Sequence, residues 1–500
     1  MAKNASYCLD FDEKNIYNEY NFSENKFIKN EREGKIVKNH MREGEIMFVG
    51  REKELGLIQN LLQKPSASMM LYGKRKVGKT TLILQALSES SDKTVYFECL
   101  KSTMEDNIEA FVAVLVREQV LPVALTFKTF ADVFAYLNTL SQTINIVIDE
   151  YPYLKVYTKP ETIDSMFQTI IDNYLKNIRL FISGSHIGMM KDMLEERNAL
   201  YGRFSLTFQL KELNYKESAA FYAEKNVYDR IGFYAVFGGS PYINGFIDAE
   251  ASLKENIVQT ILNDTHPVYH YVEHLLISDF TNAIGAERIF YAISNGKKKY
   301  SEIEEKLGMK NNGLLSKQLS SLLRMEILAK TFPINKPDDK KKTAYEINDN
   351  LLRFYYAFVY KNKSALYMLG ADAFYDEYIA PAITTFIAHR FEEICRTYFS
   401  LQAQSGLLKG VSNIGTYYYD DSQTRTSGEF DVVLQKKQQY DIYEVKYYHA
   451  PMSMEDVEKE AEKIKTLKGL QVDQIGFISV NGFEKSEAEY VFIDGAALYA

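Results

Sequence analysis

The segment Gly73–Thr80 carries glycines, a lysine and a hydroxyl residue in the spacing G-x-x-x-x-G-K-T. An apolar strand is expected over 69–72 before it, and a helix over Thr81–Leu87 after it. Glycines let the backbone fold tightly around an anion, and a helix N-terminus adds partial positive charge. We expect Lys79 to reach the β- and γ-phosphates of ATP and Thr80 to hold Mg²⁺.

Two adjacent carboxylates, Asp149 and Glu150, lie within a second apolar segment, Ile144–Leu154. Its near-continuous apolar run predicts a strand that is covered on both faces. Open α/β sheets bind ligands at the carboxyl ends of their strands, where these two side chains would lie. Asp149 fits the acid that holds Mg²⁺ through water, and Glu150 fits the base that orients the attacking water.

Two further segments supply polar residues to the same region. The predicted strand Ile178–Gly188 contains Ser183 and Ser185, either of which could contact the γ-phosphate or simply belong to a turn. Arg203 either stabilises charge in the transition state or is a solvated surface arginine. The nucleotide-binding residues that we expect are Gly73, Lys74, Arg75, Lys76, Val77, Gly78, Lys79, Thr80, Thr81 and Asp149.

A second set of charged residues, Asp431, Glu444 and Lys446, has the spacing D-x₁₂-E-x-K. Two strands are predicted around it, Ser427–Gln435 and Gln439–Tyr448, joined by a hairpin-like connection, KKQQ. Two carboxylates on adjacent strands can bind a divalent cation, and a nearby lysine can position or activate a water molecule. This combination is typical of phosphodiester hydrolysis. An amphipathic helix predicted over Thr384–Phe399 adds Glu392 and Glu393.

The motifs VGREKEL, GKRKVGKT, INIVIDEYPYL, LFISGS and LYGRF resemble those of the archaeal-type P-loop ATPases, relatives of the AAA+ and signal-transduction ATPases. VFGGSPYI, at Val236–Ile243, is similar to the helical lid of that family. The resemblance covers about residues 46–262. It implies that Arg51 lies near the adenine-side motif, and that Arg203 is a functional arginine whose partner lies in the same or another subunit.

The C-terminal motifs GEFDVV and IYEVKYY resemble the PD-(D/E)xK restriction-endonuclease-like superfamily, and a nuclease-like domain often found at the C-terminus of these ATPases. The resemblance implies a metal site of Asp431 and Glu444, with Lys446 as the catalytic lysine. It also implies that Glu393, or its neighbour Glu392, is the helix acid. The pattern leaves open whether this site is intact or a structural relic.

A winged helix is predicted between these two regions. Three helices are expected over Gly285–Ser294, Tyr300–Leu307 and Asn311–Leu328, followed by a hairpin over Ala329–Ile347. Four lysines, Lys336, Lys340, Lys341 and Lys342, make the hairpin basic. Such a module either contacts DNA phosphates or only packs against its neighbours.

Composition limits the remaining possibilities. The 500 residues predict three or four domains, and a net charge of −8 makes the chain as a whole no basic nucleic-acid binder. Cys8, Cys99 and Cys395 are widely separated, which suits a reducing cytoplasm better than a disulfide framework. No apolar run approaches a membrane span, so no membrane partner is expected.

The fold class expected is α/β: a P-loop NTPase parallel sheet with a helical lid, a winged helix and a small restriction-endonuclease-like domain. The predicted domains are 1–45 as a poorly ordered extension, 46–212 as the ATPase core, 213–275 as the lid, 276–363 as the winged helix and 364–500 as the nuclease-like domain.

Two functions follow from these predictions. The first is an ATPase that uses ATP and Mg²⁺ and controls a DNA-binding, metal-dependent nuclease. The second is a non-cutting ATP-dependent switch, or a DNA- or protein-binding regulator, with an inactive nuclease fold. The oligomeric state is left open.

Overall fold

The computed structural model describes residues 48–278, 285–309, 313–337, 339–421, 426–467, 470–486 and 489–500. The extension predicted over 1–45 and the predicted start of the third winged-helix segment, Asn311, lie outside the described residues. Within the described ranges, no helix is both long and apolar enough to cross a bilayer.

The N-terminal part is a five-stranded parallel sheet in the order β2-β3-β4-β1-β5. Its strands are β1 (Ala67–Tyr72), β2 (Lys93–Glu98), β3 (Ile144–Asp149), β4 (Ile178–Gly184) and β5 (Leu206–Gln209). Its helices are α1 (Glu52–Leu62), α2 (Lys79–Leu87), α3 (Met104–Arg117), α4 (Phe130–Leu137), α5 (Pro160–Asn173) and α6 (Ile187–Asp192). Every residue of β1, β3 and β4 is buried, as expected of central parallel strands. The predicted α/β class is confirmed.

Short helices follow the sheet. They are α7 (Tyr215–Ser218), α8 (Val227–Phe237), α9 (Pro241–Asn244), α10 (Leu253–Thr260) and α11 (Pro267–Ser278). Next come α12 (Ala286–Ser294), α13 (Tyr300–Leu307), α14 (Leu314–Arg324) and an antiparallel hairpin of β6 (Leu328–Thr331) and β7 (Ala344–Ile347). The helix α14 ends earlier than predicted, and Glu326 just beyond it has a left-handed φ of 58°. Phe237, Ile289 and Leu319 belong to one apolar core that joins the two groups of helices.

The C-terminal part is a five-stranded mixed sheet in the order β12-β11-β10-β9-β8. Its strands are β8 (Asn413–Asp421), β9 (Thr426–Lys436), β10 (Gln439–Lys446), β11 (Val472–Ser479) and β12 (Val491–Asp494). The helices of this region are α15 (Asn350–Phe354), α16 (Lys363–Leu369), α17 (Ala371–Phe374), α18 (Ile383–Gln404), α19 (Met454–Thr466) and α20 (Gly495–Tyr499). Phe399 of α18 packs with Tyr443, and Ile464 of α19 packs with Ile442. The two helices therefore contact opposite faces of the sheet, because neighbouring residues of β10 point to opposite sides.

The loop between β6 and β7 docks on β8, the edge strand of the C-terminal sheet. The backbone N–H of Ile334 donates to the carbonyl oxygen of Thr416 at 2.7 Å. The Asn335 amide donates to the carbonyl of Tyr418 at 2.8 Å and accepts from its N–H at 3.1 Å. The ammonium of Lys342 lies 3.3 Å from the centre of the Tyr418 ring. This hairpin, predicted as a basic wing, therefore uses part of its surface within the chain; of the four lysines predicted to make it basic, Lys336, Lys340 and Lys341 are exposed.

Candidate active sites

The phosphate-binding loop runs directly from β1 into α2. Gly78 has a φ of +90°, a conformation that L side chains rarely adopt. A Cβ on Gly73 would lie 2.2 Å from the carbonyl oxygen of Leu210, so only glycine fits there. Lys79 is buried, and its ammonium donates to the carbonyl oxygens of Gly73 at 3.1 Å and Lys74 at 2.9 Å. The ammonium of Lys79 is thus held inside the loop that we expect to surround the phosphates of ATP.

Asp149, at the end of β3, accepts hydrogen bonds on both carboxylate oxygens. Its Oδ2 accepts from the Thr80 hydroxyl at 2.5 Å and the Tyr96 hydroxyl at 3.0 Å. Its Oδ1 accepts from the Ser183 hydroxyl at 2.5 Å and the Glu150 N–H at 2.9 Å. The structure therefore brings Thr80 and Asp149 together, as predicted, and fixes the orientation of the carboxylate. Burial, followed by the charge of Asp149, raises the pKa of Tyr96.

Glu150 leaves the line of β3 with a left-handed φ of 49°. Its Oε2 accepts hydrogen bonds from the backbone N–H of Ser185 at 3.1 Å and from the Ser185 hydroxyl at 2.8 Å. Glu98 ends the neighbouring strand β2, in register with Asp149. Desolvation, followed by the charges of Asp149 and Glu150, raises the pKa of Glu98. The C-terminal ends of β2 and β3 therefore hold three carboxylates, Glu98, Asp149 and Glu150, beside the phosphate-binding loop.

The side chains around the loop hold its backbone in place. Buried Arg51 donates to the carbonyl oxygens of Lys211 at 2.6 Å and Val77 at 3.5 Å. The Ser240 hydroxyl, from the segment predicted as the lid, donates to the carbonyl of Lys76 at 3.1 Å. These contacts tie the loop to the residues before the sheet and after it.

Two cationic side chains of the loop contact protein groups. The ammonium of Lys74 lies 3.0 Å from Glu212 and 3.4 Å from Asp349. The guanidinium of Arg75 donates to the Tyr153 hydroxyl at 2.8 Å. The backbone N–H groups of these two residues therefore suit the predicted phosphate binding better than their side chains do.

Arg203 lies near the N-terminal ends of the parallel strands, whereas the phosphate-binding loop lies at their C-terminal ends. Its carbonyl oxygen accepts from the Ser68 hydroxyl at 3.1 Å, and Ser68 precedes Gly73 by about 17 Å of strand. The Arg203 Nε lies 3.1 Å from Asp172. The structure therefore does not bring Arg203 to the phosphate-binding loop of its own chain, because β5 only begins at this end of the strands. A role in another subunit stays a prediction.

The three C-terminal candidates lie together on β9 and β10. Val432 pairs with Tyr443, which places Asp431 and Glu444 at the next positions of the two antiparallel strands. The ammonium of Lys446 donates to the Glu444 carboxylate at 2.7 Å. Burial opposes the charge of Lys446, but the carboxylate of Glu444 outweighs it and raises the pKa of the ammonium.

A β-bulge interrupts the pairing of β9 with β8 at Asp431. Val433 faces Gly415 and Phe430 faces Tyr417, so two residues of β9 stand against one residue of β8. Such a bulge changes the direction of a side chain, and bulges are frequent beside active sites. The regular alternation of side chains between the two faces of the sheet is therefore interrupted at Asp431.

Asp431 is surrounded by charged groups from α18 and β10. Burial, followed by the charges of Glu392 and Glu444, raises the pKa of Asp431 to about 7. The Arg396 guanidinium donates to the backbone carbonyl of Asp431 at 2.6 Å, and its charge opposes that rise. Asp431, Glu444, Glu392 and Lys446 are called the carboxylate cluster below.

Glu393, predicted as the helix acid, is not in this cluster. It lies 2.6 Å from the Arg353 guanidinium of α15. Desolvation alone would raise the pKa of Glu393, but Arg353 and Arg390 lower it to about 2. Successive residues of a helix differ by about 100° in direction, so Glu392 acts on Asp431 while Glu393 contacts α15. Of the two predicted helix acids, the structure therefore brings Glu392 and not Glu393 toward Asp431.

The donor sets allow a test of the predicted metal ions. In the part of the chain that the structure describes, no three or more His, Cys, Asp or Glu side chains are grouped to hold a metal ion. Mg²⁺, however, is commonly held by one or two carboxylates together with water and substrate phosphates. The hydroxyl–carboxylate contact of Thr80 with Asp149 and the adjacent carboxylates Asp431 and Glu444 both fit such binding.

Comparisons with known proteins bear on both regions. Residues 48–243 match a family model described as an ATPase domain predominantly from Archaea. Residues 355–464 match a model described as archaeal and bacterial proteins of unknown function. An uncharacterised protein of Methanocaldococcus jannaschii is 29% identical over 332 residues, which are 64% of this chain and 70% of that protein. The chain therefore contains a P-loop ATPase domain, whereas the second match assigns no activity.

The solved structures that are similar to the chain include the following two. A Walker-type ATPase of Pyrococcus abyssi is 18% identical, with a TM-score of 0.46, and the match covers 62% of this chain and 96% of that one. The ORC2 protein of Aeropyrum pernix, in its ADPNP–ADP complexes, is 12% identical, with a TM-score of 0.43, and the match covers 65% of this chain and 97% of that one.

Proposed function

We propose that the protein is an ATPase that controls a metal-dependent nuclease, with DNA as the substrate. The observation that carries the proposal is the carboxylate cluster. Asp431 and Glu444 lie on adjacent strands with Lys446 beside them, in a chain whose Thr80 hydroxyl also contacts Asp149 at the proposed phosphate-binding loop. Burial raises the pKa of Asp431 first, and the charges of Glu392 and Glu444 add to the rise; these neighbouring carboxylates support a cation site, because they stabilise a positive charge between them.

At the ATPase site, Lys79 would contact the β- and γ-phosphates, and Thr80 with Asp149 would hold Mg²⁺. When bound, Mg²⁺ supplies positive charge that offsets the charge of the phosphate oxygens. Glu150 would accept a proton from the attacking water, since Ser185 engages its Oε2 and orients the carboxylate. The water oxygen then bonds to the γ-phosphorus while the bond to the β-phosphate oxygen breaks.

At the carboxylate cluster, Asp431 and Glu444 would hold a divalent cation, which when bound polarises the scissile phosphate. Lys446 would orient the attacking water by a hydrogen bond from its ammonium. The water oxygen bonds to phosphorus as the water releases a proton to solvent, the bond to one deoxyribose oxygen breaks, and that oxygen takes up a proton from solvent. Three helices followed by a hairpin suit a winged helix, and its exposed lysines suit contact with DNA phosphates.

The test is cleavage of linear and circular DNA by the full chain with Mg²⁺ or Mn²⁺, with and without ATP. Lys446→Ala should abolish cleavage and leave ATP hydrolysis unchanged. Lys459→Ala, an exposed lysine of α19 in the same domain, is the matched control and should retain cleavage. Intact DNA under every condition with the unmodified chain would contradict the nuclease.

A second candidate function is an ATP-dependent switch that does not cut. Two observations favour it: the described residues lack a three-ligand metal group, and the predicted wing is docked on β8. Calorimetric titration of the nucleotide-free chain with Mn²⁺ separates the two functions. Heat that disappears in Asp431→Asn supports the nuclease, and identical titrations of the two proteins support the switch.

A further inference from the structure

A series of charged contacts begins at Lys74 in the phosphate-binding loop. Its ammonium lies 3.0 Å from Glu212, 3.1 Å from the carbonyl oxygen of Asn348 and 3.4 Å from Asp349. The other oxygen of Asp349 accepts from the N–H of Leu352 at 3.0 Å and so caps the N-terminus of α15. One carboxylate therefore contacts both the nucleotide loop and the beginning of a helix.

Arg353, one turn into α15, makes the next contact. Its guanidinium is buried and lies 2.6 Å from Glu393 of α18 and 3.7 Å from Glu346 of β7. Its Nε also donates to the carbonyl oxygen of Ile347. A planar guanidinium held by several partners leaves α15 little freedom to shift unless Glu393 moves with it.

The helix α18 completes the series. Glu393 is adjacent to Glu392, whose charge acts on Asp431, and Arg396 lies one turn further along the helix. Arg396 donates to the carbonyl oxygen of Asp431 at 2.6 Å. Because all three residues belong to one helix of 22 residues, a shift at Glu393 also moves the groups that contact Asp431.

We propose that α15 and α18 couple the nucleotide loop to the carboxylate cluster through Lys74, Asp349, Arg353 and Glu393. The residue proposed to move is Lys74, whose ammonium contacts both Glu212, just beyond β5, and Asp349, the N-cap of α15. In this proposal, bound phosphates shift the loop backbone, the Lys74 ammonium moves toward Glu212, and its contact with Asp349 is released. The proposal rests on the proposed function only for what the cluster does. Coupling between two sites is reciprocal, so it is also measurable at the ATP site alone.

The test measures the Kd of a fluorescent ADP analogue, with Mg²⁺, on the full chain. Asp349→Asn retains a good N-cap residue but removes the charge facing Lys74. Glu393→Gln retains the size of the side chain and an acceptor for Arg353. Each should change the Kd by about fivefold or more, and the double variant should change it by less than the product of the two effects. Glu377→Gln, an exposed acid outside the series, should stay within about twofold of the unmodified chain.

The proposal is overturned if Glu393→Gln binds the analogue like Glu377→Gln, or if the two single effects simply multiply. Should Glu393→Gln fail to fold, as judged by its thermal unfolding, Arg353→Lys replaces it under the same criteria. A second readout is the ratio of DNA cleavage with and without ATP, which should approach one in the variants. A chain that never cleaves DNA refutes the proposed nuclease but leaves the Kd comparison fully decisive for the coupling.

Discussion

Replacing Glu150 by Gln should nearly stop ATP hydrolysis and leave ATP binding intact. The Gln side-chain oxygen can still accept the two hydrogen bonds from Ser185, at 3.1 and 2.8 Å in the structure, so the side chain stays in place. Only the ability to accept a proton is lost. General-base catalysis contributes roughly 10²–10⁴-fold, so the barrier should rise by about 2.7–5.4 kcal/mol.

The assay is steady-state phosphate release at saturating MgATP, combined with equilibrium binding of ATP. Glu98→Gln is the matched control, because Glu98 lies at the C-terminal end of β2, in register with Asp149 of β3. Its rate should stay within about fivefold of the unmodified chain, since the side chain lies outside the pair formed by Glu150 and Ser185. Two results would refute the assignment: a Glu150→Gln rate near that of the unmodified chain, or an equal loss in Glu98→Gln.

Further predictions concern four other residues. Lys79→Ala should weaken ATP binding at least about tenfold, measured by equilibrium dialysis, because a charged partner of the phosphates is lost; unchanged affinity would contradict its role. Tyr96→Phe removes one hydrogen bond to Asp149 and should raise the Mg²⁺ concentration for half-maximal hydrolysis by about threefold or more, with Tyr136→Phe as the unaffected control. Arg203→Ala should hydrolyse ATP normally at low protein concentration, and a defect that grows with concentration would assign it to a neighbouring subunit. Asn335→Ala removes two hydrogen bonds to β8 and should lower the free energy of unfolding by about 1–2 kcal/mol in urea titrations.

The ATPase fold could be predicted because its signals are local. Strands buried on both faces, such as Ile144–Asp149, appear in the sequence as continuous apolar runs, and the helix after the phosphate-binding loop, α2, ends at Leu87 as predicted. Several elements of the C-terminal sheet were missed, namely β8, β11, β12 and α19. The strand β8 contains three consecutive tyrosines among polar residues, so it lacks the alternating apolar pattern of a half-buried strand, although it pairs with the next strand, β9.

The candidate site residues also divide into those that a local motif predicts and those whose contacts depend on residues distant in the sequence. Thr80, Asp149 and Glu150 follow from motifs whose spacing fixes their positions. The choice between Glu392 and Glu393 depends on Arg353, which lies 40 residues earlier and attracts one of the two. Tyr96 contacts Asp149 only because β2 is the neighbour of β3, a pairing that no local pattern reveals.

The docked hairpin also has a consequence for solubility. An edge strand presents unpaired backbone groups that can recruit a strand from another chain and start aggregation. Ile334 and Asn335 occupy such groups on β8 at Thr416 and Tyr418. The hairpin thus protects β8 from pairing with a strand of another chain, and a movement of the hairpin away from β8 would expose an edge strand prone to aggregation. Selection on this loop would then preserve its hydrogen bonds to β8 even if its lysines did not bind DNA.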